Sequence, residues 1–306
     1  MTTNIRRGLA LAAVTAIAWT FWSVLSDIVV SINSHTAILY LTIVEGIVTA
    51  ISASIFMIYR FFQGNKIIIT SDDRRQLKYP IISGICFGVG TIIYFSLIGN
   101  QNYPLVSSFQ FGYIIVLALL INRIKKEPLR TKYLVGSILV VVGFVLQSSA
   151  LTQQSSPSSI SNVLLLSIVL LISYAIGFYS SFYYAYGKMN IPIAVPIVVG
   201  CILATTLAYG FATNAYSSFR MVQTNGVELS SIIAIMIIVA YYSEQYSFRL
   251  LSNAKAKFLN LSNIISNLEL IGVTIYSVFF LSLSYPLLIV GLVLTFAGLV
   301  FVAISE

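Results

Sequence analysis

The positions of the cationic residues constrain this chain more than any other feature of its sequence. Ten apolar stretches occur in its 306 residues, and 16 of its 17 Lys and Arg residues fall in alternate gaps between them. An apolar stretch of about 20 residues is long enough to cross the hydrocarbon core of a bilayer as a helix. Short loops rich in Lys and Arg stay on the cytoplasmic side, so the alternation predicts the topology as well as the number of spans.

The apolar stretches predict an all-α integral membrane protein with ten transmembrane helices. The predicted spans, numbered 1 to 10, cover residues 9–30, 37–59, 80–99, 105–121, 133–150, 162–184, 192–212, 230–250, 258–281 and 286–304. Because most gaps between them are short, consecutive spans should be antiparallel neighbours. With the cation-bearing gaps inside, both termini are predicted to be cytoplasmic.

Composition supports a membrane protein and excludes an ordinary soluble domain. The chain is 58% hydrophobic and only 8% charged, whereas a soluble domain has about 25% charged residues. The net charge of +8 is explained by cytoplasmic loops, so we expect no nucleic acid among the partners. Arg6 and Arg7 precede a full-length span without a convincing cleavage site, which predicts a retained first helix. We expect a multi-pass protein of the cell membrane.

An internal repeat becomes visible when the sequence is shifted by 155 residues. Gly136 and Gly143 in span 5 then align with Gly291 and Gly298 in span 10. A chance alignment of two apolar sequences is the alternative. Five spans per half is an odd number, so the second unit would insert upside down relative to the first. The predicted units are residues 1–150 and 162–306, joined by an external connector at 151–161.

Short motifs resemble those of the drug/metabolite transporter superfamily, in its ten-helix branch built from two EamA-type five-helix repeats. Residues 18–23 (AWTFWS) are similar to the early tryptophan and small residues of that family, and residues 124–129 (IKKEPL) to the turn that closes its fourth helix. The glycine spacing of span 5 also resembles the family. Span 4 lacks the family's frequent proline, and the second repeat has no counterpart of Glu127. The resemblance implies alternating access, with a central cavity lined by spans 1, 3, 4, 6, 8 and 9.

Four carboxylates lie in or near the predicted spans: Asp27, Glu45, Glu244 and Glu269. A charged group at bilayer depth costs roughly 2.5–3.5 kcal/mol on insertion scales, so each should face the bundle interior or a watery cavity. They are therefore our candidates for proton or charge coupling. Glu269, near the middle of span 9, is the strongest candidate.

Each carboxylate also has a structural interpretation. Glu269 could hold two helices together, and Glu244 could form an ion pair with Arg249. Asp27 could flank a helix end at the external interface. Glu45 lies on a polar stripe with hydroxyl residues, a pattern that is equally consistent with helix packing.

Aromatic and amide side chains on several spans are candidates for lining a substrate cavity. Tryptophan usually lies at the membrane interface, yet both tryptophans lie near the middle of span 1. The candidate residues are Trp19, Trp22, Ser23, Tyr94, Tyr179, Tyr183, Tyr241, Gln245, Asn263 and Asn267. The amides of span 9 could bind a ligand or a neighbouring helix.

No catalytic constellation, metal-ligand cluster or phosphate-binding loop is visible in the sequence, so we expect neither an enzyme nor a cofactor. The pattern favours a secondary transporter of small organic metabolites, with export of amino acids or related zwitterions and amines first. Nucleotide-sugar or other metabolite exchange, multidrug efflux and a non-transporting membrane scaffold are the alternatives. Proton coupling is left open. We expect a monomer or a weak homodimer whose partners are the bilayer and a small-molecule substrate.

Overall fold

Helices are the regular elements throughout the part of the chain that the structure describes. The computed structural model describes residues 3–32, 36–64, 71–98, 106, 109, 112–126, 131–152, 157–187, 189–217, 222–266, 268–269, 272, 275–276, 279 and 286–303. Within these ranges the all-α fold class is confirmed. The predicted site residue Asn267 and residues 153–156 of the predicted connector lie outside the described residues.

The described helices follow the apolar pattern of the sequence. They are α1 (Thr3–Ile32), α2 (Ala37–Phe62), α3 (Ser71–Gln76), α4 (Lys78–Leu97), α5 (Tyr113–Lys125), α6 (Thr131–Thr152), α7 (Pro157–Tyr186), α8 (Ile191–Ala212), α9 (Thr224–Leu251), α10 (Ala256–Ser266) and α11 (Pro286–Ala303). After α10, residues 269, 272, 275, 276 and 279 are also helical. Apart from the short α3, each helix coincides with one of the predicted spans.

Six of these helices are long and apolar enough to cross a membrane. The segments that meet both conditions are Thr3–Ser31, Ala37–Phe62, Arg74–Leu97, Ser161–Ala185, Ile191–Ala212 and Thr224–Leu251. Three shorter apolar helices occupy predicted spans 4, 5 and 10. Their length and apolar composition are those of a multi-pass membrane protein, and they overlap predicted spans 1, 2, 3, 6, 7 and 8.

The outer surface of the bundle is apolar. On α6, Leu134, Ile138 and Val145 have 63%, 62% and 58% of their surface exposed. Their spacing places them on one face of the helix. A wide exposed apolar face of this kind is unfavourable in water and favourable against lipid chains. The exposed faces therefore fit a bilayer as solvent.

Helices from the two halves of the sequence pack against each other. Helix α1 packs along α9, α4 packs along α7, and α6 packs along α11. Helix α2 contacts both α8 and α9, α4 also contacts α8, α1 contacts α10, and α5 contacts α7. As a result, the centre of the bundle is enclosed by helices of both halves.

The contact between α6 and α11 depends on glycine. A Cβ atom on Gly136 would lie 2.5 Å from the carbonyl oxygen of Gly298, and one on Gly298 would lie 2.5 Å from that of Gly136. A Cβ on Gly143 would lie 2.6 Å from the carbonyl oxygen of Gly291. Small residues let helix backbones approach this closely in membranes. The four glycines that the 155-residue shift brings into alignment therefore all lie in the contact between α6 and α11.

Candidate functional site

A cavity in the centre of the bundle is the candidate functional site. The space between its lining side chains, counted together with the part that is open to solvent, is about 490 Å³. The residues that line it are Trp19, Trp22, Glu45, Phe87, Thr91, Tyr113, Tyr174, Phe178, Ile237, Tyr241 and Glu269. They belong to α1, α2, α4, α5, α7, α9 and the segment that follows α10. A largely apolar cavity with a few polar groups is typical of a small-molecule site.

Four helices each contribute two lining residues that are three or four positions apart. The pairs are Trp19 with Trp22, Phe87 with Thr91, Tyr174 with Phe178, and Ile237 with Tyr241. Residues at this spacing lie above one another on the same helix face. Each helix therefore presents one turn of a single face to the cavity.

One wall of the cavity is a packed group of aromatic rings from α4, α5 and α7. The rings of Tyr113 and Phe178 stack with their centroids 3.9 Å apart and an interplanar angle of 8°. The rings of Phe87 and Phe178 meet edge to face, with their centroids 4.8 Å apart. Such contacts fix ring orientation beyond the effect of burial alone. This wall is therefore preorganised.

A second part of the lining is formed by the tryptophans of α1. The rings of Trp19 and Trp22 meet edge to face at 5.3 Å, and Trp19 meets Tyr241 of α9 in the same manner at 5.5 Å. Tyr94 does not line the cavity but stacks on Trp22 at 5.0 Å. Helix α4 thereby supports the tryptophan wall from behind.

Two carboxyl groups face the cavity from different helices. Glu45 of α2 and Glu269 of the segment after α10 are 3% and 2% exposed. The hydroxyl of Ser23 on α1 donates a hydrogen bond to a carboxylate oxygen of Glu269. The Oε2 atom of Glu45 is buried and makes no hydrogen bond. A buried carboxyl group with an unpartnered oxygen is costly unless it binds a proton or a ligand.

Hydroxyl groups supply the remaining polar surface. The Thr91 hydroxyl lies 3.4 Å from that of Tyr174, and it also donates to the carbonyl oxygen of Phe87 at 2.7 Å. Tyr174 is within electrostatic range of both Glu45 and Glu269. The hydroxyls of Thr91 and Tyr174 therefore lie near both carboxyl groups.

The described lining residues include acidic side chains but neither Lys nor Arg. Arg249 of α9 lies away from the cavity and donates to the carbonyl oxygens of Ala185 and Met189, where α7 ends. Oε2 of Glu244 is buried and makes no hydrogen bond. Among the described residues, no group of three or more His, Cys, Asp or Glu side chains is placed to hold a metal ion.

Five of the predicted site residues line the cavity: Trp19, Trp22, Glu45, Tyr241 and Glu269. Ser23 and Tyr94 lie immediately behind the wall, where they contact Glu269 and Trp22. Glu45 reaches the cavity from α2, a helix that the family resemblance does not include among those lining it.

Other predicted residues lie elsewhere. Tyr183 stacks on Tyr79 at 4.8 Å and meets Tyr179 at 5.2 Å, in a separate aromatic cluster between α4 and α7. Asp27 is buried and accepts a hydrogen bond of 3.0 Å from Tyr276.

The polar residues Glu244, Gln245 and Asn263 are buried outside the cavity lining. Glu244 is within electrostatic range of Glu269. The two amide atoms of Gln245 make no hydrogen bond.

Sequence reasoning missed six lining residues: Phe87, Thr91, Tyr113, Tyr174, Phe178 and Ile237. Phe87 lies one turn before Thr91, and Thr91 shares a helix face with Tyr94, so extending that face would have included Phe87. Tyr174 and Phe178 form a second aromatic row on α7, beside the row of Tyr179 and Tyr183. Nothing in their sequence distinguishes one row from the other.

The comparisons with known proteins give a fold and no family. No protein-family model matches the sequence, and no curated protein matches it. Among solved structures, a crystal structure of a protein is similar over 96% of this chain and 96% of its own, with a TM-score of 0.59 and 14% sequence identity. At this level of identity the similarity shows a common fold and carries no information about function.

Proposed function

We propose that this protein is a secondary transporter that moves a small amine-bearing organic solute by alternating access. The observation that carries the proposal is the central cavity, which combines aromatic walls with two carboxyl groups deep inside a membrane protein. Ionisable groups within membrane spans usually mark substrate or ion pathways. Amino acids and related amines fit such a site, and the carboxyl groups provide a means of proton coupling.

The proposed topology has ten spans, with both termini cytoplasmic and two five-helix units in opposite orientation. If a twofold axis relates the units, every contact between units must have a reciprocal partner. Packing of α1 on α9 joins spans 1 and 8, and packing of α4 on α7 joins their counterparts, spans 3 and 6. The pairs α4 with α8 and α2 with α9 are reciprocal in the same sense, as are α1 with α10 and α5 with α7.

The glycine contacts support the same axis. In the 155-residue alignment, Gly136 corresponds to Gly291 and Gly143 to Gly298. The close approaches join Gly136 to Gly298 and Gly143 to Gly291. Each contact is therefore the counterpart of the other, as a twofold axis between α6 and α11 requires. Inverted repeats with a central site are a common basis of alternating access.

The sequence motifs, the ten-span layout and the central cavity together favour membership of the ten-helix branch of the drug/metabolite transporter superfamily. We place the protein in the cell membrane on the basis of its cytoplasmic cations and multi-pass helices. A phosphate-bearing substrate such as a nucleotide sugar is disfavoured, because its charge would need Lys or Arg in the cavity lining. The part of the lining that the structure describes has neither.

Solute flux in proteoliposomes tests the proposal. Purified protein is reconstituted, and uptake of a panel of amino acids, amines and nucleotide sugars is measured with and without a pH gradient. We expect saturable uptake of an amine-bearing solute above that of protein-free liposomes, and none of a nucleotide sugar. Absence of flux for every solute would contradict the transporter proposal.

Glu269→Gln and Glu228→Gln are the matched variants. Glu269 lines the cavity, whereas Glu228 is exposed near the start of α9. Proton coupling through the cavity predicts that Glu269→Gln abolishes the effect of the gradient and that Glu228→Gln leaves it intact. Unchanged gradient-driven uptake in Glu269→Gln would remove Glu269 from the coupling.

A further inference from the structure

The charges in the cavity distinguish between the solutes that a transporter of amines or amino acids could carry. Glu45 and Glu269 face the same space from different helices. Among the described lining residues, the other polar groups are the hydroxyls of Thr91 and three tyrosines and the indole N–H groups. None of these carries a positive charge. The site therefore offers neutralisation to a cation and not to an anion.

An amino acid brings a carboxylate as well as an ammonium group. Its carboxylate would lose its hydration in the cavity and would lie near two carboxyl groups of the protein. Such a charge needs a cationic or multiply hydrogen-bonding partner. Repulsion between the ligand's carboxylate and these carboxyl groups also selects against an amino acid. The cavity thus penalises zwitterions relative to amines of the same size and shape.

The aromatic walls also favour a cation over a zwitterion or an anion. A cation is attracted to the face of Trp, Tyr or Phe within about 6 Å of the ring centroid. The rings of Trp19, Trp22, Tyr241, Phe178 and Tyr113 surround the cavity. A cation held between these rings and the carboxyl groups would gain from both, and its apolar body would be buried among the rings.

We propose that the cavity is a binding site selective for organic cations, in which Glu45 and Glu269 neutralise the cationic nitrogen and protons compete with the solute. Its consequence for transport rests on the proposed function, but the binding itself does not. When no cation is bound, two carboxyl groups that face one buried space are costly as bare charges, so protons take the place of the cation. An entering cation releases protons from the site, and acidification releases the cation.

The surroundings of both carboxyl groups are consistent with this exchange. The titratable groups facing Glu45 are the phenols of Tyr174 and Tyr241, from α7 and α9. Glu269 faces Tyr174 and lies within range of Glu244. Ser23 donates to Glu269 but does not titrate. Among the described residues, the titratable groups that these interactions place around the pair are therefore acidic.

The two tryptophans allow binding to be measured directly. They are the only tryptophans in the sequence, and both line the cavity. Their fluorescence in detergent-solubilised protein is titrated with four ligands that share a phenyl ring. The ligands are 2-phenylethylamine, its N,N,N-trimethyl derivative, phenylalanine and 3-phenylpropanoate. Because these differ mainly in charged groups, the series isolates the effect of charge.

We expect both cations to bind at least about ten-fold more tightly than phenylalanine, with no binding of the anion, because removing or opposing a buried charge pair costs at least this factor. The trimethyl derivative keeps its charge at every pH, so weaker binding on acidification reports protonation of the protein. Binding of phenylalanine as tight as that of the amine would overturn the proposal, as would binding of the trimethyl derivative that is independent of pH.

Glu45→Gln and Glu269→Gln test the residues, with Glu228→Gln as the control. Each cavity variant should lower cation affinity at least about ten-fold, and the control should not change it. Circular dichroism establishes that each variant is folded. If one cavity variant fails to fold, the charge series on the unmodified protein still decides the proposal.

The transport and binding proposals fail separately. Selective cation binding without flux would contradict the transporter and leave the cation site intact. Flux of phenylalanine in preference to phenylethylamine would overturn the cation site and leave the transporter intact.

Discussion

The hydroxyl of Ser23 donates a hydrogen bond to the carboxylate of Glu269, joining α1 to the segment after α10 at the edge of the cavity. Both residues are buried, with 1% and 2% of their surface exposed. The bond links the first and ninth predicted spans and orients a carboxyl group that faces the solute site. Ser23 thereby acts on the cavity without lining it.

Ser23→Ala tests this positioning role. A hydrogen bond to a charged group contributes about 1.5–3 kcal/mol. We expect the variant to lower cation affinity about ten-fold, because the carboxylate loses its donor and its fixed orientation. Tryptophan fluorescence titration measures the change. Ser54→Ala is the control, since the Ser54 hydroxyl is exposed and bonds within its own helix. Equal affinity in the two variants would refute the positioning role.

Gly136→Ala tests the packing of α6 against α11. The added Cβ would meet the backbone of Gly298 and Val302, at 2.5 Å from the oxygen and 2.6 Å from the nitrogen, and backbone atoms cannot easily move aside. We expect the variant to lose about 1–3 kcal/mol of stability. Thermal unfolding in detergent, followed by circular dichroism, measures the loss as a lower Tm.

Gly46→Ala is the matched control for Gly136→Ala. Gly46 also lies inside a helix, but a Cβ there would meet nothing within 4 Å. Alanine is favoured over glycine in a helix by up to about 1 kcal/mol, so Tm should stay equal or rise. An equal fall in both variants would show that the glycine contact is not what stabilises this helix pair.

Tyr276→Phe tests the bond that joins the ninth predicted span to Asp27. The variant leaves a buried carboxyl group without its donor, which costs about 1–3 kcal/mol. We expect a lower Tm but unchanged cation selectivity, because Asp27 does not line the cavity. Tyr209→Phe, at an exposed tyrosine, is the control. Loss of cation selectivity in Tyr276→Phe would instead make Asp27 part of the solute site.

Arg249→Met tests the tie between α9 and the end of α7. The guanidinium group donates to the carbonyl oxygens of Ala185 and Met189, and the variant leaves both without this donor. Bonds to a charged group contribute about 1.5–3 kcal/mol, so a lower Tm is expected. Lys255→Met, at an exposed position, should leave Tm unchanged. A stable Arg249→Met variant would argue against a structural tie.

The sequence predicts the membrane-crossing helices well because their signal is a sum over many residues. Predicted span 1, residues 9–30, becomes α1 (Thr3–Ile32), and residues 192–212 become α8 (Ile191–Ala212). The carboxyl groups were also found from sequence, since a charge is rare and costly at this depth. Length and charge thus locate both the helices and the acidic part of the cavity.

The sequence could not predict which face of each helix points into the cavity. Tyr174 with Phe178 and Tyr179 with Tyr183 are both aromatic pairs at helical spacing on α7, and only the first faces the cavity. Aromatic residues suit either a packed interface or a cavity wall, so their chemistry does not separate the two. The choice depends on which neighbouring helix lies opposite, and that follows from packing over the whole bundle.

The polar stripe on α2 that contains Glu45 shows the same limit of prediction from sequence. The neighbours of Glu45 on α2, Thr42 and Thr49, donate hydrogen bonds to carbonyl oxygens of their own helix. Glu45 is too strongly polar to be satisfied in this way, and its carboxyl group lines the cavity. A stripe of polar residues therefore contained both helix packing and the solute site, which the pattern alone could not separate.

Counterflow in proteoliposomes tests the central claim, transport by alternating access, most directly. The liposomes are loaded with a saturating concentration of the unlabelled solute that is taken up best, and a trace of the same labelled solute is added outside. A carrier predicts transient accumulation of label above its equilibrium level, because outward-moving solute returns the site to the outer face for the label. Simple equilibration of label without an overshoot, or no entry above that of protein-free liposomes, would contradict the account.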